Sequence, residues 1–308
     1  MVRINVDEDK IKLGFLFHQL KRHERRLKSV GAGSVIRHVD GGFFKRLPIP
    51  LMDDVEQNKI AEILDWSDSA IVAARESVAK AERLHDGLMQ QMLIGRLKSD
   101  GTKRQDGDFN TDERIGLFPK GWKVRKLRQI VRLRNGKANI TSNLRDKPDS
   151  VYCYPVFGGN GVTGWSDRYL LESPTIVLGR VGEYCGVVHR TPAKAWITDN
   201  ALYASEFPEP IDLGFLFYVL TRLRLNSWKA TTGQPKITQS EILNIRVAIP
   251  EDPGEQAGIA AKFNSVRQFI NAKQTKIVAL HRLKKSLMQN LLTGRIRLPV
   301  ESTAKKGK

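Results

Sequence analysis

The sequence predicts an α+β chain in which a mainly β region is combined with two long helices paired as an antiparallel coiled coil. Three observations carry this: a long stretch that occurs twice, an apolar seam at four-three spacing within it, and a central block of short β-type runs. Residues 56–98 (EQNKIAEILDW…GLMQQMLIGRLK) and 255–297 (EQAGIAAKFNS…SLMQNLLTGRIR) align without a gap at an offset of 199, and neither contains proline. In the first copy Ile60, Leu64, Ile71, Val78 and Leu88 recur at heptad-like spacing. In the second, Ile259, Phe263, Val266, Ile270, Ile277, Leu280 and Leu287 do the same. Such spacing draws one apolar stripe along a helix. At ~1.5 Å per residue each helix would be roughly 60 Å long.

A helix of this kind cannot bury its stripe alone, and an isolated helix is marginal in water. The nearest partner is the other copy. The first carries a net charge of −1 and the second +8, so one of each repels less than two of the second. The plainer alternative is that each helix packs on its own neighbouring domain.

The repeat reaches beyond the helices. IKLGFLFHQL (11–20) matches IDLGFLFYVL (211–220) at seven of ten positions, and LPIP (47–50) matches VAIP (247–250). Residues 11–98 therefore duplicate 211–297 on the scale of a domain. An amphipathic helix is expected over 11–28, turning strongly basic, and another over 213–225. Acidic Asp53, Asp54 and Glu56 suit the start of the first long helix. The boundaries expected are an N-terminal segment 1–54, a long helix 55–98, an exposed polar linker 99–116, the β region 117–252, a second long helix 253–297 and a basic tail 298–308. Within the β region, VRKLRQIVRL, TIVLGRVG, CGVVHR and KAWITDNALYAS read as strands split by Gly, Pro and Asn turns. Counterparts of 117–210 would fall upstream of Met1, so the first repeat is expected to lack most of its β region.

Composition narrows the function classes. The formal net charge is +18 over 308 residues, with an isoelectric point near 10. Such an excess favours polyanions, nucleic acid above all. Residues 117–150 alone hold ten basic and two acidic side chains. A basic run is often only a solvated face, but one so concentrated at the entry to a domain suits phosphate contacts. No apolar run approaches the ~18–20 residues of a membrane span, and the N-terminus lacks a signal-peptide core. Cys153 and Cys185 form no metal-type pair and are expected to be two buried thiols in a reducing cytoplasm.

The short motifs mostly exclude chemistry. GNGVTG (159–164) satisfies Gly-x-Gly-x-x-Gly, but WSDRYLLESPT follows where a dinucleotide fold needs a helix. A glycine-rich hairpin fits better. There is no P-loop, no zinc-type histidine spacing and no Asn-Pro-Pro-Tyr element. His18 and His23 are expected on the surface of a basic helix. Asp149, Glu172 and Glu183 could be assembled into a nuclease site, though nothing in their spacing demands it. TTGQPKITQSEI (231–242) is richer. Gln234 and Gln239 can make paired hydrogen bonds to adenine, and Lys236 can reach guanine or phosphate. The plainer reading is that Thr238 and Ser240 cap a short helix with Glu241 in its first turn.

These residues together resemble the specificity (S) subunit of type I restriction–modification systems. The resemblance rests on FPKGWKVRKLRQIVRLRNG (118–136), PVFGGNGVTGW (155–165), TDNALYA (198–204), TTGQPKITQSEILNIRVAIPEDPGEQAGIA (231–260), and the helix ends GLMQQMLIGRLK (87–98) and SLMQNLLTGRIR (286–297). It implies two target-recognition domains alternating with two long helices. Each domain would read one half of a split site in double-stranded DNA, with the paired helices as a spacer. By that resemblance 117–252 is a recognition domain and 1–54 the remnant of another. The implied chain is not an enzyme and binds no cofactor itself. S-adenosylmethionine, ATP and magnesium are expected on partner methyltransferase (M) and translocase–nuclease (R) subunits in the cytoplasm. A second S chain could supply the missing half. DNA contacts are expected from Lys137, Asn160, Arg180, Lys194, Gln234, Lys236 and Gln239. The competing readings are a standalone DNA-modifying enzyme and a structural adaptor that reads nothing.

Overall fold

The computed structural model describes residues 5–24, 47–138, 143–228 and 236–299. The chain divides into two compact units. One is built from residues 1–82 and 269–308, the other from residues 83–268. Two long helices, α2 (Asp54–Met92) and α6 (Pro253–Leu291), each contribute one part to either unit.

Unit one combines α1 (Leu13–Arg22) with the first part of α2 and the last part of α6. Phe15, Ile60, Leu64, Leu291 and Leu292 form its buried core, with Leu287 and Met288 at the edge. The two long-helix segments run antiparallel, since Asp68 pairs with Lys284, and Arg75 meets His281 at 3.0 Å. Glu56, fully buried near the start of α2, accepts from Arg297 (2.6–2.9 Å) and from the backbone N–H of Leu298 (2.9 Å).

The Arg297 guanidinium holds the Glu56 carboxyl below the usual carboxylate range, outweighing the opposing effect of burial. A depressed carboxyl pKa contributes stability above the unfolded value of about 4.3, lost as pH falls through the lower folded value. Acid denaturation should therefore be steeper in the wild type than in Glu56→Gln. Arg297→Ala should destabilise more than Glu56→Gln, because it leaves a buried carboxylate without its cation. Urea midpoints at pH 3.5 and pH 7 check both.

Unit two repeats this arrangement. α4 (Leu213–Arg222) packs Phe215 against Ile259 and Phe263 of α6, and against Met92 and Leu93 at the end of α2. The repeat is visible atom by atom. Gln57 accepts from the Lys12 N–H as Gln256 does from Asp212, both at 2.8 Å. A Cβ on Gly14 would lie 3.0 Å from the Ala61 Cβ, and one on Gly214 would lie 3.1 Å from that of Ala260. Each glycine lets its short helix lie close against a long one. The second copy of the acidic residue, Glu255, takes Arg104 and the Trp122 indole as partners.

The seam residues are buried or half-buried. Ile60, Leu64, Ile71, Val78, Ile259, Phe263 and Ile270 are buried. Leu88, Val266, Ile277, Leu280 and Leu287 are half-buried. The helices are shorter than the repeat, ending at Met92 and Leu291 rather than 98 and 297. Gly95 (φ 74°) and Gly294 (φ 70°) adopt left-handed conformations, and their N–H groups return to the Met92 and Leu291 carbonyls. This is a glycine C-cap, present in both copies.

The β region belongs to unit two. A hairpin of β1 (Phe109–Asp112) and β2 (Gly116–Pro119) falls where a linker was expected, so 99–116 is exposed but not featureless. β3 (Trp122–Lys126) pairs antiparallel with β11 (Arg246–Pro250). A short α3 (Leu127–Ile130) then interrupts the run read as a continuous strand, because Leu127 and Ile130 both turn into the core.

Two further sheets follow. One is antiparallel, ordered β4 (Arg132–Asn135), β10 (Ala201–Glu206), β7 (Ile176–Gly179), β8 (Val188–Arg190). The other is ordered β6 (Gly161–Ser166), β5 (Tyr154–Gly158), β9 (Trp196–Ile197), with β5 and β9 parallel. α5 (Gln239–Leu243) leads into β11.

Two further sequence expectations need correction. His18 is not a surface residue: one helical turn from Phe15, it is buried, with Nε2 2.9 Å from Asp65 Oδ1. Of the two cysteines only Cys185 is buried. Cys153 is exposed, in the segment leading to β5.

Candidate nucleic-acid interface

Several loops of the β region meet at one edge, locked backbone to backbone. After β4 the chain turns at Gly136, where a Cβ would fall 2.1 Å from the Thr198 carbonyl oxygen. Lys137 follows; its N–H donates to the Ile197 carbonyl (2.8 Å), and its own carbonyl accepts from the Trp196 indole (3.1 Å). The β5–β6 turn places Gly159 against Asn200, Val181 and Gly179, so that a Cβ there would meet all three within 3.7 Å. Past β7, the Arg180 N–H donates to the Asn200 carbonyl (2.9 Å), and the Arg180 carbonyl accepts from the Ile237 N–H (3.1 Å). Lys236 forms a bridge with Val181. Gly136 is needed for this close approach of backbone to backbone, whereas a Cβ on Gly159 would make ordinary contacts.

With the main chains occupied by one another, the side chains of Lys137, Asn160, Arg180 and Lys236 are left exposed on these loops. Gln239 is half-exposed and adjoins the group, its amide donating to Asn135 Oδ1 at 3.3 Å. Exposed cations and amides, the groups that suit phosphates and base edges, thus share one edge.

Lys194 does not join them. It precedes β9, and β9 is parallel to β5, so it lies at the end where β5 begins while Asn160 lies where β5 ends. There its ammonium sits over the Tyr169 ring, 5.6 Å from the centroid. Gln234 falls outside the described residues. Sequence reasoning passed over Asn135, at the end of β4, and Asn200 and Tyr184 on these loops, all exposed. Asn-Gly at 135–136 and Asp-Asn at 199–200 were legible only as turn signals.

The plainer reading of 231–242 also holds in part. Thr238 caps α5 in a reciprocal capping box with Glu241, whose carboxyl is pushed down by those hydrogen bonds. Capping orients Gln239 just inside the helix. The basic run 117–150 is less available than its charge suggests. Lys123 pairs with Glu251, Arg125 with Glu209 (3.0 Å) and Arg134 with Glu206 (2.8 Å).

GNGVTG forms the β5–β6 hairpin and opens no helix. Asp149 is engaged locally, accepting from the Val151 and Tyr152 N–H groups at 2.8 and 2.7 Å. Among the described residues no group of three or more His, Cys, Asp or Glu lies together as a metal site. No described helix is long and apolar enough to cross a membrane.

Comparison with known proteins places this architecture. The chain is 28% identical to the type I restriction enzyme MjaVIII specificity subunit of Methanocaldococcus jannaschii, over 92% of this chain and 70% of that protein. It is 27% identical to the EcoprrI specificity subunit of Escherichia coli, over 54% of this chain and 40% of that one. The fold matches the crystal structure of a type I restriction–modification S subunit from M. genitalium. There the TM-score is 0.68 at 16% identity, covering 96% of this chain and 75% of the other. The family model for the type I restriction modification DNA specificity domain matches residues 1–81 and 119–282. A model spanning that much of the chain, on a fold with the same two long helices, makes this protein a member of the type I restriction modification DNA specificity family.

Proposed function

We propose that this chain is the DNA-reading subunit of a type I restriction–modification complex and does no chemistry of its own. Residues 117–252 read one half of a split target in double-stranded DNA, and the paired long helices space that reader and dock methyltransferase subunits. S-adenosylmethionine, ATP and magnesium belong to the methyltransferase and translocase–nuclease partners, and the complex works in the cytoplasm. A second specificity chain is a further candidate partner. The observation that carries this reading is the interlocked loop edge with Lys137, Asn160, Arg180 and Lys236 directed outward. Trp66, 65% exposed on α2, supports a docked partner, since exposed tryptophan is a common anchor of protein interfaces.

Methyl transfer from labelled S-adenosylmethionine tests the division of labour. The chain alone should label no DNA, and a cognate methyltransferase subunit should label it only when the chain is present. Trp66→Ala should weaken their co-purification. Labelling by the chain alone would establish an enzyme instead. Co-purification without any DNA binding would leave a structural adaptor.

A further inference from the structure

We propose that the end of the β3–β11 pair is a phosphate site, in which Arg222 and Arg246 hold a phosphate group with Lys126 beside them. None of these residues belongs to the loop edge, and only a duplex as the source of the phosphate rests on the DNA-reading function above. β3 and β11 are in register so that Lys126 stands directly opposite Arg246. Like charges opposite each other on neighbouring strands repel. Elsewhere on β3 the cations are neutralised: Lys123 pairs with Glu251, and Arg125 with Glu209 at 3.0 Å. Among the described residues no carboxylate forms an ion pair with Lys126, Arg222 or Arg246. Asp112, in the β1–β2 hairpin, accepts instead from the Arg114 and Ile115 N–H groups at 2.9 and 3.1 Å.

Arg222 and Arg246 also share a cavity of about 250 Å³, walled by Leu93, Leu117 and Val219. The Arg246 Nε is shut off from water and has no hydrogen-bond partner in the protein. A buried N–H without an acceptor is uncommon in folded chains and points to a partner that the chain does not supply. Arg222 lines the same cavity yet is exposed, so a ligand can reach it from solvent. The Lys126 pKa is pushed down, by Arg128 above all and then by desolvation and Arg246, as befits a positive cluster without a counter-charge. The helix dipole favours a cation in the last turn of α4, which accounts for Arg222 by itself. It does not account for Arg246 and Lys126, which lie on strands. A phosphate group suits all three, since its oxygens accept from two guanidinium forks and its charge relieves the repulsion between the strands.

The test uses the full chain and the double variant Arg222→Gln, Arg246→Gln, with inorganic phosphate as the probe and chloride at equal ionic strength as the control. Phosphate should raise the thermal midpoint of wild type above that in chloride, in step with its concentration. The double variant should bind phosphate about tenfold more weakly. Each protein is compared with itself in the two salts, so a change in its own stability does not enter. Lys126→Gln should weaken phosphate binding about threefold, and Lys123→Gln should leave it unchanged. Salt dependence of DNA binding separates the sources. If a duplex supplies the phosphate, the slope of log affinity against log salt shrinks by about 1 in the double variant, and inorganic phosphate competes. An unchanged slope with phosphate binding lost assigns the site to free phosphate. Equal phosphate binding by wild type and double variant overturns the proposal, as does a wild type indifferent to phosphate with an unchanged slope. The phosphate measurement needs no DNA. A chain that binds phosphate but no duplex would lose the reading function and keep the site.

Discussion

Replacing Phe215 by alanine is expected to destabilise the unit of residues 83–268 by about 3–5 kcal/mol, the range for deleting a buried aromatic ring. Phe215 is fully buried and meets Trp122 edge-on at 6.3 Å. It sits where α4, the end of α2 and the start of α6 share one core with β3 and β11. Removing it leaves a cavity walled by rigid helices, which cannot close by sliding one short loop. Phe15, its repeat counterpart, is equally buried but in the smaller core of the other unit. Denaturant titration of Phe215→Ala, followed by tryptophan fluorescence, measures the loss. A change under about 1 kcal/mol would mean that the shared core does not hold this unit together.

The second large effect is on DNA binding. The double variant Arg180→Ala, Lys236→Ala removes two exposed cations held close together by the Ile237–Arg180 backbone bond and the Val181–Lys236 bridge. Binding should weaken alike for every duplex. The slope of log affinity against log salt should shrink by about 2, roughly 0.9 for each phosphate that is no longer neutralised. Asn160→Ala should behave differently, relaxing one base position by about 1–3 kcal/mol with little change in slope. A double variant with wild-type salt dependence would remove this edge from the interface.

The sequence made the helices legible because a four-three apolar period leaves a helix only one face to bury, and the two copies agree on it. Helix ends were not legible in the same way. Gly95 and Gly294 occupy equivalent places in a repeat that continues past them, so comparing the copies gave no contrast at the boundary. His18 was misplaced because its neighbours Lys21, Arg22 and Arg25 suggested a solvated face. Its spacing of three from Phe15 in fact puts it on the buried side.

The candidate site was half legible. Residue types and glycine-rich turns marked loops that the structure brings to one edge, since backbone approach demands glycine and exposed amides were sought. Which loops share an edge depends on pairings between strands far apart in the chain, and no local signal records them. Lys194 is an example: as a loop cation it resembles Lys137, yet the parallel pairing of β5 with β9 places it at the other end of the sheet.

Selection from a pool of random duplexes tests the central claim most directly. The purified chain should enrich one short contiguous sequence, and Asn160→Ala should blur that sequence at a single position. Retention of duplexes in proportion to salt alone, with no sequence enriched over repeated rounds, would contradict it.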